Sequence, residues 1–211
     1  MSAREQILGA VRRHLARADG AIPAPPPAPP PVPLLGAVDL DTSARLDAFA
    51  ARLEAVGGHC HRGPAALVVA ELVARYRPRR IASSDSPLVD ELSRAPQLAG
   101  ANWLPADAAT DALFASDLGV TAAQWGIAES GTLVLDSSAE RHRLASLLPP
   151  VHVALLPASR VLANLGELLK TVGRPLPTAV TFITGPSRTA DIELQLVLGV
   201  HGPRQLHVVL T

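Results

Sequence analysis

Apolar residues recur along this chain at two spacings, and each spacing predicts a different element. Stretches with apolar residues every three or four positions indicate helices, and short, almost wholly apolar runs indicate buried strands. Helices are predicted at 2–18, 41–56, 87–94, 110–115, 141–147, 159–172 and 192–197, with a further one after Pro64. Strands are predicted at 59–62, 80–83, 101–104, 118–122, 131–135, 151–156, 179–184 and 205–210. Helices and strands therefore alternate from about residue 41 onward.

This alternation indicates an α/β fold. Strands that are apolar throughout are typical of a parallel sheet that is covered by helices on both faces. In such sheets, ligands bind beyond the carboxyl ends of the strands. The turn at 184–189 follows a predicted strand, and it is therefore the expected place for a ligand.

The first forty residues predict a helix and a spacer in front of the α/β domain. Ser2 can cap this helix. Its apolar residues share one face and are Ile7, Leu8, Val11 and Leu15. Eight of the eleven residues from 23 to 33 are proline, which favours a polyproline-like segment, either a semi-rigid spacer or a ligand for an SH3-type partner. We predict a helical segment at 1–19, a linker at 20–38 and the α/β domain at 39–211.

Composition argues against several classes of protein. The 211 residues have a formal net charge of zero and only 3% aromatic residues, so nucleic acid is not an expected partner. The apolar runs are too short for a membrane span and the N-terminus lacks a signal-peptide pattern, which makes a cytoplasmic location the default expectation. Cys60 is the only cysteine, and one thiol cannot hold a Cys-ligated iron–sulfur cluster or form an intrachain disulfide. We expect this chain to bind no cofactor of its own.

The run from Thr184 to Glu193 predicts an anion-binding site. It joins a predicted strand to a predicted helix, and the first N–H groups of a helix are free to bind an anion that the helix dipole also favours. The candidate ligands are Gly185, Ser187, Arg188, Thr189 and Asp191. The simpler alternative is that Ser187 or Thr189 only caps the helix.

Two other residues are candidate catalytic groups. Glu129 stands in a glycine-flanked turn and could act as base or nucleophile, and His201 stands in a glycine-bracketed loop and could act as acid or base. The residues after Glu129 are further candidates for substrate contacts: Ser130, Gly131 and Thr132. The alternatives are a solvated turn and a structural histidine.

We also predict that Glu129 and the 185–189 turn share one pocket. Both lie at turns beside strands that we expect in one parallel sheet, but Glu129 precedes its strand and Ser187 follows its own. A shared pocket therefore requires the 131–135 strand to run antiparallel, or its preceding loop to cross the edge of the sheet.

His59 and His61 form an H-x-H pair on a predicted strand. Alternate strand residues face opposite sides, so both imidazoles should project from one face and Cys60 from the other. Such a pair can chelate a metal ion, but the sequence fixes no third ligand, and no metal site is predicted.

Four motifs, closely spaced and in one order, resemble the LUD-domain family and within it the lactate-utilisation protein C group. They are Trp125-Gly-Ile-Ala-Glu-Ser-Gly-Thr132, Leu147-Leu-Pro-Pro-Val-His152, Gly185-Pro-Ser-Arg-Thr-Ala-Asp-Ile-Glu193 and Gly199-Val-His-Gly-Pro203. The resemblance implies a three-layer α/β sandwich with a mostly parallel sheet, similar to the sugar-phosphate isomerase and CoA-transferase fold. It also implies bacterial oxidation of L-lactate to pyruvate, with iron–sulfur clusters carried only by partner subunits and a small carboxylate as ligand.

Three functions stay open on the sequence. The first is a non-cluster component of an L-lactate oxidising system. The second is a stand-alone enzyme similar to CoA-transferases or sugar-phosphate isomerases, in which Glu129 is nucleophile or base and Arg188 holds a carboxylate or phosphate. The third is a structural assembly subunit that docks through the helix at 2–18.

Overall fold

The helix at the amino terminus, α1 (Ala3–Arg17), begins with two reciprocal hydrogen bonds. The amide of Glu5 donates to Oγ of Ser2, and the amide of Ser2 donates to Oε2 of Glu5, which together form a capping box. The computed structural model describes residues 2–17, 41–137, 143–172, 177–189, 197–199 and 201–211. The predicted linker at 20–38 lies outside these ranges. The chain divides into two units, residues 1–35 and 36–211.

The second unit is built from short helices and strands. Within the described ranges its α-helices are α2 (Thr42–Ala55), α3 (Ala65–Tyr76), α4 (Pro87–Ser93), α5 (Thr110–Phe114), α6 (Leu144–Leu147) and α7 (Leu165–Thr171). Its strands are β1 (His59–Arg62), β2 (Ile81–Ser83), β3 (Trp103–Leu104), β4 (Leu118–Ala122), β5 (Trp125–Ile127), β6 (Thr132–Asp136), β7 (Val151–Leu156), β8 (Val161–Leu162), β9 (Val180–Ile183), β10 (Arg188–Thr189), β11 (Val197–Leu198) and β12 (Gln205–Leu210). None of the described helices is long and apolar enough to cross a membrane.

A parallel sheet lies at the centre of this unit. Its strand order is β1-β12-β7-β4-β2-β3, and every neighbouring pair runs parallel. Both faces are buried, as the apolar runs predict. Along β7, Val153 and Leu155 belong to the core beneath α3 and α4, whereas Ala154 and Leu156 belong to the core beneath α2. The predicted α/β sandwich with a mostly parallel sheet is confirmed.

The layer on the α2 face contains a second sheet that the sequence did not predict. Its strand order is β8-β5-β6-β9, and β6 runs antiparallel to both β5 and β9. The expectation that 131–135 and 179–184 join the parallel sheet is therefore wrong. The turn at 128–131 is too short for a crossover connection, so the strands on either side of it can only pair antiparallel. Gly126 lets β5 lie directly on the core, because a Cβ there would stand 2.7 Å from Cδ2 of Leu156.

The helix predicted at 159–172 begins later than its apolar spacing suggests. Val161 and Leu162 form β8, which pairs with β5, and α7 begins only after Asn164. Oδ1 of Asn164 accepts from the amide of Glu167, and Oε2 of Glu167 accepts from the amide of Ala163. These two hydrogen bonds, one of them the N-cap of Asn164, fix the start of the helix. Leu168 is buried, whereas Leu165 and Leu169 are exposed.

The helix predicted at 192–197 is contradicted at its carboxyl end. Val197 and Leu198 form β11, which pairs antiparallel with β10. A backbone that hydrogen-bonds across a ladder cannot also make helical bonds along the chain. Residues 192–196 lie outside the described ranges.

Candidate functional site

A cavity of about 230 Å³ lies between the second sheet and α6, above the parallel sheet. Its base is formed by His152 on β7 and Leu206 on β12, which are register partners. Its walls are β9 with the turn that follows it (181–187), the end of α6 and the loop at 201–203. The cavity therefore lies at the amino-terminal ends of two parallel strands. The sequence predicted a ligand at the turn after the 179–184 strand, taken as a carboxyl end of the parallel sheet. Part of that turn does line the cavity, but its strand belongs to the second sheet.

His152 is the most buried polar side chain among the described residues that line this cavity. It is 1% exposed, and its Nε2 lies 2.8 Å from Oγ1 of Thr121 on the neighbouring strand β4. Its Nδ1 has no hydrogen-bond partner among the described residues. Burial lowers the pKa of His152 to about 4, so the imidazole is neutral near pH 7. A neutral imidazole has one donor and one acceptor nitrogen, and only one of the two is engaged here.

Two loops that the sequence singled out are joined beside the cavity. The amide of Ser187 donates to the carbonyl oxygen of Pro203 over 2.9 Å. The side chain of Ser187 lies against Gly202, where an added Cβ would be only 3.1 Å from Cβ of Ser187. His201 is exposed and lines the same cavity. Three predicted site residues, Gly185, Ser187 and His201, therefore meet at the cavity.

The turn that carries Glu129 lies at the same end of the second sheet. Because β6 and β9 are antiparallel, the start of β6 lies beside the end of β9. The hydroxyls of Ser130 and Thr132 are 2.7 Å apart, and Oγ1 of Thr132 is 2.7 Å from Oγ1 of Thr184, a residue of the cavity wall. The antiparallel strand that a shared pocket requires is thus present. Glu129 itself is exposed and is not among the residues that line the cavity.

Gly131 fits this turn against α2. Its φ is +66°, and an added Cβ would lie 2.3 Å from the amide nitrogen of Leu53. Only glycine permits so close an approach of the turn to the helix backbone. The sequence predicted Gly131 as a substrate contact. In the structure its lack of a side chain serves the packing of this turn on α2.

The helix start that was to supply the anion-binding N–H groups is absent at 187–189. Arg188 and Thr189 form β10, and the amide of Ser187 is already bonded to Pro203. The guanidinium of Arg188 turns away from the cavity and donates from Nη2 to the carbonyl oxygen of Val56, at the end of α2. A cation at that position stabilises the last carbonyls of a helix. Asp191 lies outside the described residues.

The H-x-H pair packs around a third histidine. His59 and His61 project from one face of β1, as predicted. The ring of His59 is stacked on that of His207, with the ring centroids 4.8 Å apart. Nε2 of His61 lies 3.0 Å from Nδ1 of His207. Cys60 packs on the opposite face, in the core beneath α2. No group of three or more His, Cys, Asp or Glu side chains suited to a metal ion occurs among the described residues.

Comparison with known proteins supplies the family. A family profile named "LUD domain" matches residues 46–211, which is most of the chain. The chain belongs to the LUD domain family. The resemblance drawn from the four motifs is thereby confirmed.

Curated relatives of this LUD domain protein match it over part of its length. A protein named "Lactate utilization protein C" from Halalkalibacterium halodurans is 40% identical over 102 residues, 45% of this chain and 44% of that protein. The "Lactate utilization protein C" of Bacillus subtilis is 38% identical over 101 residues, 45% and 42% of the two chains. An uncharacterized protein from Neisseria meningitidis is 48% identical over 96 residues, 44% and 41%. The matched segment spans less than half the length of each of these relatives.

A solved structure supports the fold of the LUD domain. The crystal structure of a DUF162 family protein from Deinococcus radiodurans superimposes with a TM-score of 0.60 at 21% identity, over 81% of this chain and 98% of that one. At this identity the likeness concerns the fold alone. It agrees with the layered α/β architecture described above.

Three of the four motifs converge on the cavity, and sequence reasoning missed its most buried polar member. The lining includes residues of the motifs at 147–152, 185–193 and 199–203, namely Leu147, His152, Gly185, Ser187 and His201. His152 is the one polar residue in the otherwise apolar strand 151–156. A polar residue within a buried strand is the signal that could have identified it as a candidate site residue. The LUD domain therefore builds its candidate site from motif residues, with Glu129 and Arg188 outside the lining.

Proposed function

We propose that this chain is the non-cluster component of a bacterial system that oxidises L-lactate to pyruvate. In that reaction L-lactate loses two electrons and two protons, and the electrons pass to iron–sulfur clusters on partner subunits. Family membership and the names of several relatives support a place in lactate utilisation. The oxidation step and the iron–sulfur partners go beyond those names and are part of the proposal.

The single cysteine is the observation that supports placing the iron–sulfur clusters on partner subunits. Iron–sulfur clusters are held mainly by cysteine thiolates, and this chain has one cysteine in 211 residues. Burial raises the pKa of the Cys60 thiol to about 11, so the thiolate that a metal needs is disfavoured. The clusters that take up the electrons therefore belong to other subunits.

Iron analysis of the purified chain tests this division. The full chain, purified under anaerobic conditions, should be colourless and should contain no stoichiometric iron. Cys60→Ser is the matched control, and its iron content should equal that of the wild type. A monomer with stoichiometric iron and iron–sulfur absorbance would contradict the proposal.

Growth on L-lactate tests whether the gene is needed for lactate oxidation. Deleting the gene in its bacterial host should abolish growth on L-lactate as sole carbon source and leave growth on pyruvate intact, since the block precedes pyruvate. Supplying the gene again should restore growth. Unimpaired growth of the deletion strain on L-lactate, with no L-lactate oxidation activity lost from its extracts, would overturn the proposal.

One observation favours an assembly role as a second function. Three apolar side chains on α1 are exposed: Ile7 by 64%, Leu8 by 41% and Val11 by 49%. Exposed apolar side chains on one helix are typical of a surface that packs against another protein. Replacing Ile7 and Val11 by glutamate should release the iron–sulfur subunits from the purified assembly without changing the melting temperature of the chain. Retention of those subunits would exclude docking through α1.

A further inference from the structure

We propose that the cavity binds a short monocarboxylate with an oxo or hydroxyl group at carbon 2, and that Nδ1 of His152 is the buried partner of that oxygen. The existence of a binding site rests on the cavity and on the buried His152 in its lining. The choice of this ligand class, with pyruvate and L-lactate as its smallest members, rests on the proposed function.

His152 supplies the argument for a ligand. A buried polar atom without a hydrogen bond destabilises a fold, so such atoms are rare unless something else binds to them. Nε2 is held by Thr121, which does not line the cavity, whereas the ring of His152 does line it. The bond to Thr121 fixes the orientation of the ring, and Nδ1 is the ring nitrogen without a partner among the described residues. An oxo oxygen accepts a hydrogen bond and a hydroxyl can donate or accept, so either tautomer of His152 can be satisfied.

The charge of the lining restricts the ligand. Among the described residues that line the cavity there is no aspartate, glutamate, lysine or arginine. This described lining offers no carboxylate to a cation, and no arginine or lysine to a phosphate dianion. His201 is exposed at the mouth, where its imidazole can donate to a single carboxylate that keeps part of its hydration. The lining therefore suits a monoanion.

The size and apolar content of the cavity restrict it further. Its volume of about 230 Å³ is below the roughly 300 Å³ at which pockets for drug-sized ligands begin. Leu147, Ile183 and Leu206 supply apolar surface that can receive a methyl group or a short alkyl chain. A coenzyme or nucleotide is too large to be enclosed, whereas a three- or four-carbon acid fits.

Titration of the full wild-type chain tests the ligand class. Pyruvate and L-lactate should bind with dissociation constants of roughly millimolar order, as expected for so small a ligand. Acetate, which has no oxygen on carbon 2, and inorganic phosphate should bind at least about tenfold more weakly. Acetate binding as tightly as pyruvate would overturn the role of His152, and phosphate binding more tightly than both acids would overturn the ligand class.

Two substitutions of His152 separate its two nitrogens. In His152→Gln the side-chain amide can replace Nε2 and keep the bond to Thr121, but nothing replaces Nδ1. In His152→Asn the amide can replace Nδ1 and the bond to Thr121 is lost. We expect the Gln variant to bind pyruvate about tenfold more weakly and the Asn variant to bind it within about threefold of the wild type. If His152 were purely structural, the Asn variant, which loses the bond to Thr121, would be less stable than the Gln variant. The two variants would then bind pyruvate equally.

A measurement on the wild type covers the case in which neither variant folds. The ¹⁵N resonance of His152 should shift when pyruvate is added, and that of His207, equally buried but outside the cavity, should stay in place. Absence of a shift at His152 at saturating pyruvate would overturn the proposal. The growth experiment remains separate: growth that depends on the gene without pyruvate or L-lactate binding refutes this site alone, and binding without such dependence refutes the proposed function.

Discussion

The phenolic oxygen of Tyr76 lies 2.8 Å from Nε2 of His207, and this contact ties α3 to β12, the strand beside the edge strand β1 of the parallel sheet. His207 is completely buried on β12, and its other ring nitrogen faces His61. Burial lowers the pKa of His207 to about 3, with further lowering from His59, His61 and Arg75. The ring of His207 is therefore neutral near pH 7, and it joins α3, β1 and β12.

The first prediction concerns pH. Because the pKa values of His152 and His207 are lowered in the fold, to about 4 and about 3, the unfolded chain binds more protons below its own histidine pKa of about 6.5. Stability should be complete above pH 6.5 and should fall as the pH drops toward 5. Each histidine should contribute a loss of roughly 2 kcal/mol by pH 5.

Urea unfolding at pH 7, 6 and 5 measures this loss. His207→Asn is the control, since asparagine does not titrate, and it should remove about half of the difference between pH 7 and pH 5. A free energy of unfolding that is constant over this range would show that the histidines are not buried as described.

The second prediction concerns Gly131. An added methyl group would meet the backbone of α2 at 2.3 Å, and the φ of +66° is unfavourable for other residues. Gly131→Ala should cost about 3 kcal/mol, the sum of a left-handed conformation and overpacking. Gly100→Ala is the matched control, because its φ is +91° but no atom lies within 4 Å of its added Cβ, and it should cost only about 1 kcal/mol. Equal losses in thermal unfolding would show that the turn does not press on α2.

The third prediction concerns the hydroxyls that join the two turns. Thr132 is 4% exposed and stands between Ser130 and Thr184. Thr132→Val keeps the volume but leaves both neighbours without their partner, and it should cost about 1–2 kcal/mol. Thr184→Val, at an exposed position, should stay within about 0.5 kcal/mol. In the double variant the two losses should not add, and simple additivity in chemical denaturation would show that the hydroxyls do not interact.

The fourth prediction concerns Arg188. Since its guanidinium donates to the carbonyl of Val56 at the end of α2, Arg188→Ala should lower stability by about 1 kcal/mol and leave ligand binding unchanged. Arg79→Ala, another exposed arginine, should stay within about 0.5 kcal/mol. Lost anion binding at unchanged stability would restore the anion-binding role that the sequence assigned to Arg188.

The sequence predicted those parts of the fold in which local pattern and tertiary position agree. The strands at 151–156 and 205–210 are apolar runs, and burial on both faces is what such runs require. The helix at 159–172 was placed wrongly because Val161, Leu165 and Leu168 have helical spacing, although the cap at Asn164 starts the helix later. The second sheet escaped prediction because β5 is three residues long and contains Gly126.

The candidate site was predicted in part for the same reason. Turn glycines and a loop histidine can be recognised locally, and Gly185, Ser187 and His201 do line the cavity. The contribution of His152 depends on Thr121, a residue 31 positions earlier that becomes its neighbour only in the sheet. The orientation of Arg188 depends likewise on the end of α2, 132 positions earlier, which no local pattern reveals.

The position of β12 in the sheet determines when β1 can pair during synthesis. This strand lies between β1 and β7, so β1 has its sheet partner at 205–210, nearly 150 positions further along the chain, by the register that pairs His59 with His207. While a ribosome makes the protein, β1 is exposed long before the segment that pairs with it has emerged. Contacts between such distant segments form slowly and leave an unpaired strand edge open to other chains. Newly made chains should therefore depend on chaperones until the segment 205–210 is released, and translation that stalls before this segment should yield aggregates.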